Sequence, residues 1–219
     1  MMRVVLASSS PRRRELLARA GIRFNVVEPP GESTVPPGMG ADLVVQLVAR
    51  QKAVAVASTL PEGTFVLAAD TMVVGPQGPL GKPHTAERAR AMLCDLRGQR
   101  HTVLTGICAL RSPGDREALG VSRSAVKMHA FSDDELATYV ASGEPLDRSG
   151  GYAIQGGGGD LVEAVAGRVD TVIGLDVPLA MRLLTEVGYP DPLPRPSDVS
   201  LTPPRVRRPL TPLRAPTRV

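Results

Sequence analysis

Tryptophan is absent from this 219-residue chain, and aromatic residues of all kinds make up 3% of it. The core must therefore be aliphatic, and broad stacking platforms for a nucleic-acid polymer are not expected. Cysteine is equally scarce. Cys94 and Cys108 form no disulfide framework, and both read as small buried hydrophobes. No window approaches the roughly 18 apolar residues that a membrane span requires. The opening "MMRVVLASSS" turns polar after about five apolar residues, too few for a secretory leader, and reads as a buried strand. A cytoplasmic protein with no membrane partner is expected.

Metal-ligand spacing is missing as well: His84, His101 and His129 belong to no Cys/His cluster. The run "GGGG" at 156–159 does not open a helix as a dinucleotide-binding GxGxxG would. No Ser/His/Asp arrangement or nucleophile elbow is present. Net charge is lacking too, once it is located. The chain carries +4, but Arg195, Arg205, Arg207, Arg208, Arg214 and Arg218 against Asp191 and Asp198 already supply that surplus. Residues 1–190 are neutral, so their arginines need individual explanations.

Two regions emerge. Residues 191–219 hold eight prolines and no apolar period, which predicts a disordered Pro/Arg-rich tail. Residues 1–190 alternate strand-like and helix-like stretches and predict one α/β domain. Strands are expected at 3–8, 22–28, 64–75, 99–111 and 117–131, with a short strand pair after the Gly-rich "SGGYAIQGGGG". Helices are expected at 11–21, 41–58, 85–98, 132–143 and 178–188. In the second of these, Leu43, Val44, Leu47, Val48, Val54 and Ala55 form the predicted buried stripe, with Lys52 at its edge. Ser132, followed by acids and closed by Gly143, marks the fourth unambiguously.

Candidate chemistry collects where strands end and helices begin. "SSSPRRR" places Ser10 as helix N-cap and Pro11 at the first helical position, so Arg12, Arg13 and Arg14 enter the first turn. Cations there oppose the helix dipole unless an anion is bound nearby. Asp70 follows the apolar run "FVLAA" and must meet a cation, a metal or solvent, and Lys52, at the edge of its helix's apolar stripe, can direct its ammonium toward the sheet edge. Lys82 sits in a Pro-stiffened loop, Glu32 is the sole acid of a Pro/Gly loop, and Gln155 is flanked by glycines that let a ligand approach. Two arginines and two lysines match a polyanion; two carboxylates can hold a hard cation or activate water.

In order along the chain, "LASSSPRRRELL", "ARQKA", "AADTMVV", "GKP", "LTG" and "GYAIQG" resemble the Maf family of nucleoside triphosphate pyrophosphatases, over roughly residues 3–189. The resemblance implies a mixed sheet with surrounding helices in two lobes around a cleft, related to the inosine triphosphate pyrophosphatases. It implies a house-cleaning hydrolysis of the α–β phosphoanhydride that requires Mg²⁺ or Mn²⁺, with Asp70 as general base or metal ligand. Arg12, Arg13, Lys52 and Lys82 would neutralise the triphosphate, with Ser8 and Ser10 adding donors, and Glu32 would be the second metal carboxylate. Where the family has two adjacent acids, this chain has Glu32 followed by Ser33. Arg12, Thr71 and Gln155 resemble the subgroup that prefers dTTP and UTP, including modified pyrimidines. Two alternatives stand beside this reading, a deaminated-purine (ITP/XTP) triphosphatase and a non-catalytic nucleotide-binding regulator of septum formation. A homodimer is left open.

Overall fold

The computed structural model describes residues 4–31 and 33–190; Glu32 and the predicted tail at 191–219 lie outside the described residues. In chain order the elements are β1 (Val4–Ala7), α1 (Pro11–Arg19), β2 (Phe24–Val27), α2 (Ala41–Ala57), β3 (Phe65–Gly75) and β4 (Gly78–Leu80). They continue with α3 (Ala86–Leu96), β5 (Arg100–Arg111), β6 (Arg116–Met128), α4 (Asp133–Ala141), β7 (Val162–Ala166), α5 (Val169–Ile173) and α6 (Val177–Glu186). Three short 3₁₀ turns fill the stretch between α4 and β7. The described strands form a mixed sheet in the order β2-β1-β3-β5-β6-β7, with β4 on β3. β1 runs parallel to β2 and β3, whereas β4 and β7 pair antiparallel with β3 and β6. No described helix is long and apolar enough to cross a membrane.

The chain divides into two compact units. The first comprises the chain up to Met72, Leu104–Ser122 and the segment from Asp170. In it α2 lies on one face of β1, β3 and β5. Val5, Ala7, Val66, Ala68, Cys108 and Leu110 of the strands meet Ala49, Ala53, Val56 and Ala57 of the helix. Side-chain direction alternates along a strand with period two, so Asp70 shares the α2 side with Val66 and Ala68, while Thr71 is on the opposite side.

The buried stripe of α2 differs from the predicted one. Val45, Val48, Ala49, Ala53, Val56 and Ala57 are buried, while Leu43 is 59% exposed and Val54 is 38% exposed. The cause is a close approach that hydrophobicity alone does not encode. A Cβ on Gly106 of β5 would fall on the Val45 carbonyl and lie 2.7 Å from the Gln46 nitrogen. Helix and strand meet backbone to backbone there, so the helix turns its small side chains inward. The rotation carries Lys52 from the stripe's edge to its middle, between Val48 and Val56. Gly106→Ala must push α2 away, and a loss of about 3 kcal/mol, at the upper end of ordinary overpacking, is expected. At roughly 2–4 °C per kcal/mol for a chain this size, thermal denaturation should show a melting point lower by about 6 °C or more.

The second unit comprises Val73–Val103 and Arg123–Val169. α3 buries Ala89, Leu93 and Leu96, and α4 buries Leu136 and Tyr139. The signals at α4 are realised: Ser132 Oγ accepts from Glu135 N at 3.2 Å, and Ser132 N donates to Glu135 Oε2 at 2.7 Å. His101 donates or accepts at Tyr152 Oη, 2.7 Å away, and burial pulls its pKa down to about 4.

Two other expectations are corrected. Cys108 is buried, its thiol pushed up to about 12 by burial, but Cys94 is exposed, one position past Leu93 and off the inward face of α3. Among the described residues only one strand, β7, follows the Gly-rich segment, because Gly167 turns at φ +114° and the chain goes on into α5 rather than a second strand. The hairpin strand β4 carries Pro79 and is too short for a periodic signal.

Candidate active site

The first unit assembles its polar groups where β1 passes into α1. β1 is wholly buried and ends at Ala7; Ser8 follows, 2% exposed, and its Oγ accepts from Ser10 N at 3.1 Å. Ser10 is the extended N-cap residue and Pro11 the first helical residue, as the sequence predicts, but the Ser10 hydroxyl caps no backbone donor. The first turn of α1 contains no acidic side chain. Its positive dipole end is therefore joined by arginines and balanced by no carboxylate of its own.

Arg13 is held at all three guanidinium nitrogens. Nε donates to the Gly174 carbonyl at 2.8 Å, Nη2 to Thr71 Oγ1 at 3.1 Å and Nη1 to Ser8 Oγ at 3.4 Å. Burial lowers its pKa below the usual arginine value; the Asp70 charge opposes that shift and the Arg12 charge reinforces it. Such a cation favours the arrival of an anion. Arg14 is partly buried, its Nη2 bound to the Ser9 carbonyl at 2.8 Å, so it straps the preceding loop rather than standing in solvent.

Asp70 and Lys52 meet on the α2 side of the sheet. Lys52 Nζ lies 2.6 Å from Asp70 Oδ1, and the two side chains are 24% and 22% exposed. The bond uses Oδ1 and leaves Oδ2 outside it. Phe65–Ala69 are all buried, so Asp70 is the first residue of β3 to regain solvent. A carboxylate in that position, paired with an ammonium through one oxygen and open to water, is suited to accept a proton or to join a hydrated cation.

Lys82 and Gln155 belong to the second unit. Lys82 Nζ is 2.6 Å from Asp147 Oδ1 in a largely exposed pair, which on its own stabilises little. Its loop is fixed at three points: Ser149 Oγ to the Leu80 carbonyl at 2.7 Å, Gly150 N to the Gly81 carbonyl at 3.1 Å, and His84 N to the Leu146 carbonyl at 3.0 Å. Gln155 is exposed, between buried Ile154 and exposed Gly156. Its loop is anchored by Glu144, whose oxygens accept from Tyr139 Oη at 2.8 Å, Gly157 N at 3.1 Å and Gly158 N at 3.3 Å. The glycines are required by the packing: a Cβ on Gly158 would come within 2.7 Å of Ala153 N and Tyr139 Oη. Tyr139 and Glu144 carry no motif of their own, and sequence reasoning missed them.

Thr105, Thr171 and Gly174 were missed too, although Thr105 stands in the "LTG" stretch noted above. Thr71 Oγ1 is 3.0 Å from Thr105 Oγ1, and Thr105 Oγ1 donates to the Thr171 carbonyl at 2.8 Å. Among the described residues no group of three His, Cys, Asp or Glu could hold a metal ion.

A family model described as Maf-like protein matches residues 3–187. The dTTP/UTP pyrophosphatase of Anaeromyxobacter sp. (strain Fw109-5) is 47% identical over 193 residues, 87% of this chain and 92% of its own. That of Myxococcus xanthus (strain DK1622) is 47% identical over 189 residues, covering 86% and 94%. A solved nucleoside-triphosphatase (dITP/XTP pyrophosphatase) from Mycobacterium abscessus aligns over 59% of this chain and 74% of its own at 15% identity and TM-score 0.38, a distant likeness.

Proposed function

The chain belongs to the Maf family, and from that membership we propose that it is a cytoplasmic nucleoside triphosphate pyrophosphatase acting on dTTP and UTP. The observation that carries the chemistry is the triply held, partly buried Arg13 at the N-terminus of α1, which favours an anion, in the same unit as a carboxylate paired with an ammonium. Water attacks the α phosphorus, its proton passes to Asp70 Oδ2, the bond from the α phosphorus to the bridging oxygen breaks, and monophosphate and pyrophosphate leave. Arg12 and Arg13, with Ser8, Ser10 and the α1 N-terminus, bind the negative charge that grows on the phosphates. Lys52 holds Asp70 in place through its 2.6 Å bond to Oδ1 and brings a further cation to the phosphates.

From the second unit we assign Lys82 to the triphosphate and Gln155 to the pyrimidine edge, where an amide offers both a donor and an acceptor. We assign Thr71 to the site through Arg13, since its hydroxyl bonds that side chain. A divalent cation, Mg²⁺ or Mn²⁺, would shield the triphosphate and polarise it. Such ions are commonly held by one or two carboxylates together with phosphate oxygens and water, and a lone Asp70 among the described residues fits that mode. Asp70 and Glu32 are the residues we assign to it.

The substrate assignment is checked by measuring pyrophosphate release across a panel of triphosphates. dTTP, UTP and 5-modified uridine triphosphates are expected to have the highest kcat/KM. Faster turnover of GTP or methylated GTP would overturn the pyrimidine preference, and faster turnover of ITP or XTP would favour the deaminated-purine reading.

A further inference from the structure

We propose that Thr105, a fully buried residue of β5, is a positioning residue that aims Arg13 at the substrate through a one-directional chain of hydroxyls; the proposal rests on the phosphate-binding role assigned to Arg13 above. A threonine hydroxyl has one proton to give and two lone pairs. Thr71 Oγ1 accepts from Arg13 Nη2 at 3.1 Å, so its single proton must go elsewhere. Two acceptors are in reach: Thr105 Oγ1 at 3.0 Å and the Gly174 carbonyl at 3.5 Å. The second is long and already takes Arg13 Nε at 2.8 Å. Thr105 cannot point its own proton back, because it donates to the Thr171 carbonyl at 2.8 Å. The order is therefore fixed, from Arg13 to Thr71 to Thr105 to Thr171, and it leaves a Thr71 lone pair facing the guanidinium.

The far end of the chain is firmly held. Thr171 N donates to Asp170 Oδ1 at 3.0 Å, and Asp170 Oδ2 accepts from Val177 N at 3.1 Å. Thr171 Oγ1 lies 2.7 Å from Ser122 Oγ, which donates to Asp176 Oδ2 at 2.6 Å, and Asp176 Oδ1 caps α6 through Leu179 N at 2.9 Å. Gly174, in the same corner, turns at φ +130°, and a Cβ there would stand 3.4 Å from Thr71 Oγ1 and 3.5 Å from Arg13 Nε. Two of the three tethers of Arg13, the direct one to Gly174 and the relayed one through Thr105, thus end in residues 170–176, while the third goes to Ser8.

Without the Thr105 hydroxyl, Thr71 must turn its proton toward the Gly174 carbonyl and compete with Arg13 for it. The guanidinium then keeps its charge but loses its aim.

The test is a coupling experiment with dTTP hydrolysis and pyrophosphate binding as parallel readouts. Thr105→Val should lower kcat/KM roughly tenfold to a hundredfold, the range expected for losing an oriented bond to a charged group. Thr105→Ser, which keeps the hydroxyl, should return to within about threefold of wild type. In an Arg13→Lys background, where no Nη2 reaches Thr71, Thr105→Val should cost less than about twofold. The proposal is overturned if Thr105→Val matches wild type, if serine does not restore, or if the effect persists undiminished without the guanidinium. Should Thr105→Val not fold, Thr105→Ala in the same cycle decides. Should the wild-type protein hydrolyse no triphosphate, the enzymatic reading fails, and calorimetric affinity for inorganic pyrophosphate across the same variants still tests the coupling: loss of coupling there overturns the inference independently.

Discussion

Asp70→Asn is expected to leave a nucleotide binder that scarcely hydrolyses, with kcat for dTTP down about 10²–10⁴-fold, the usual contribution of a positioned general base. The substitution keeps the side chain's shape. The asparagine carbonyl oxygen can still accept from Lys52, but the pair is only about a quarter exposed, so the ammonium loses its counter-charge and some loss of stability is expected beside the kinetic effect. One negative charge disappears beside a polyanionic substrate, so affinity for a non-hydrolysable dTTP analogue should hold or rise. Titration calorimetry alongside steady-state kinetics separates the two effects. Turnover within tenfold of wild type would remove Asp70 from the mechanism. The half-saturating Mg²⁺ concentration distinguishes its two roles: it rises if Asp70 holds the ion and stays put if Asp70 only accepts the proton. The same variant addresses the regulatory reading, since an effect on septum formation that survives Asp70→Asn does not depend on catalysis.

The second large effect is expected at Arg13. Arg13→Ala should lower kcat/KM about 10²–10³-fold, as removal of a single preorganised transition-state donor typically does. More than a charge is lost, because Ser8, Thr71 and Gly174 all lose the donor that ties them together. Arg13→Lys restores the charge without the planar fork and should recover only part of the loss. Arg14→Ala is the internal control: its guanidinium binds the Ser9 carbonyl one turn away, and a change under about threefold is expected. If Arg14→Ala proves as damaging as Arg13→Ala, the distinction between the two arginines is wrong.

What could be read from the sequence, and what could not, divides by the range of the interaction. α4 was legible because its stop and start signals lie within a dozen residues, Ser132 and Glu135 forming the capping box and Gly143 ending it at φ +73°. Asp70 was legible as a carboxylate that must meet a cation, a metal or solvent, and Lys52 as a side chain directed toward the sheet edge; their pairing is visible only in the folded chain. The face of α2 was misjudged because it is set by Gly106, far along the chain, where backbone meets backbone and large side chains do not fit. Cys94 was misjudged for a simpler reason, since a one-residue step on a helix separates the buried Leu93 from solvent. Thr105 and Thr171 gave no local sign of their roles; serine and threonine are common in strands, and only the folded sheet brings these groups within hydrogen-bond reach of one another.

The bond from Arg13 to Gly174 joins residues 161 positions apart. During synthesis, then, α1 is made early while the carbonyl that receives Arg13 Nε is still untranslated. A polypeptide stopped before residue 174 has Ser8 and Thr71 to hold Arg13 but lacks this third point of attachment.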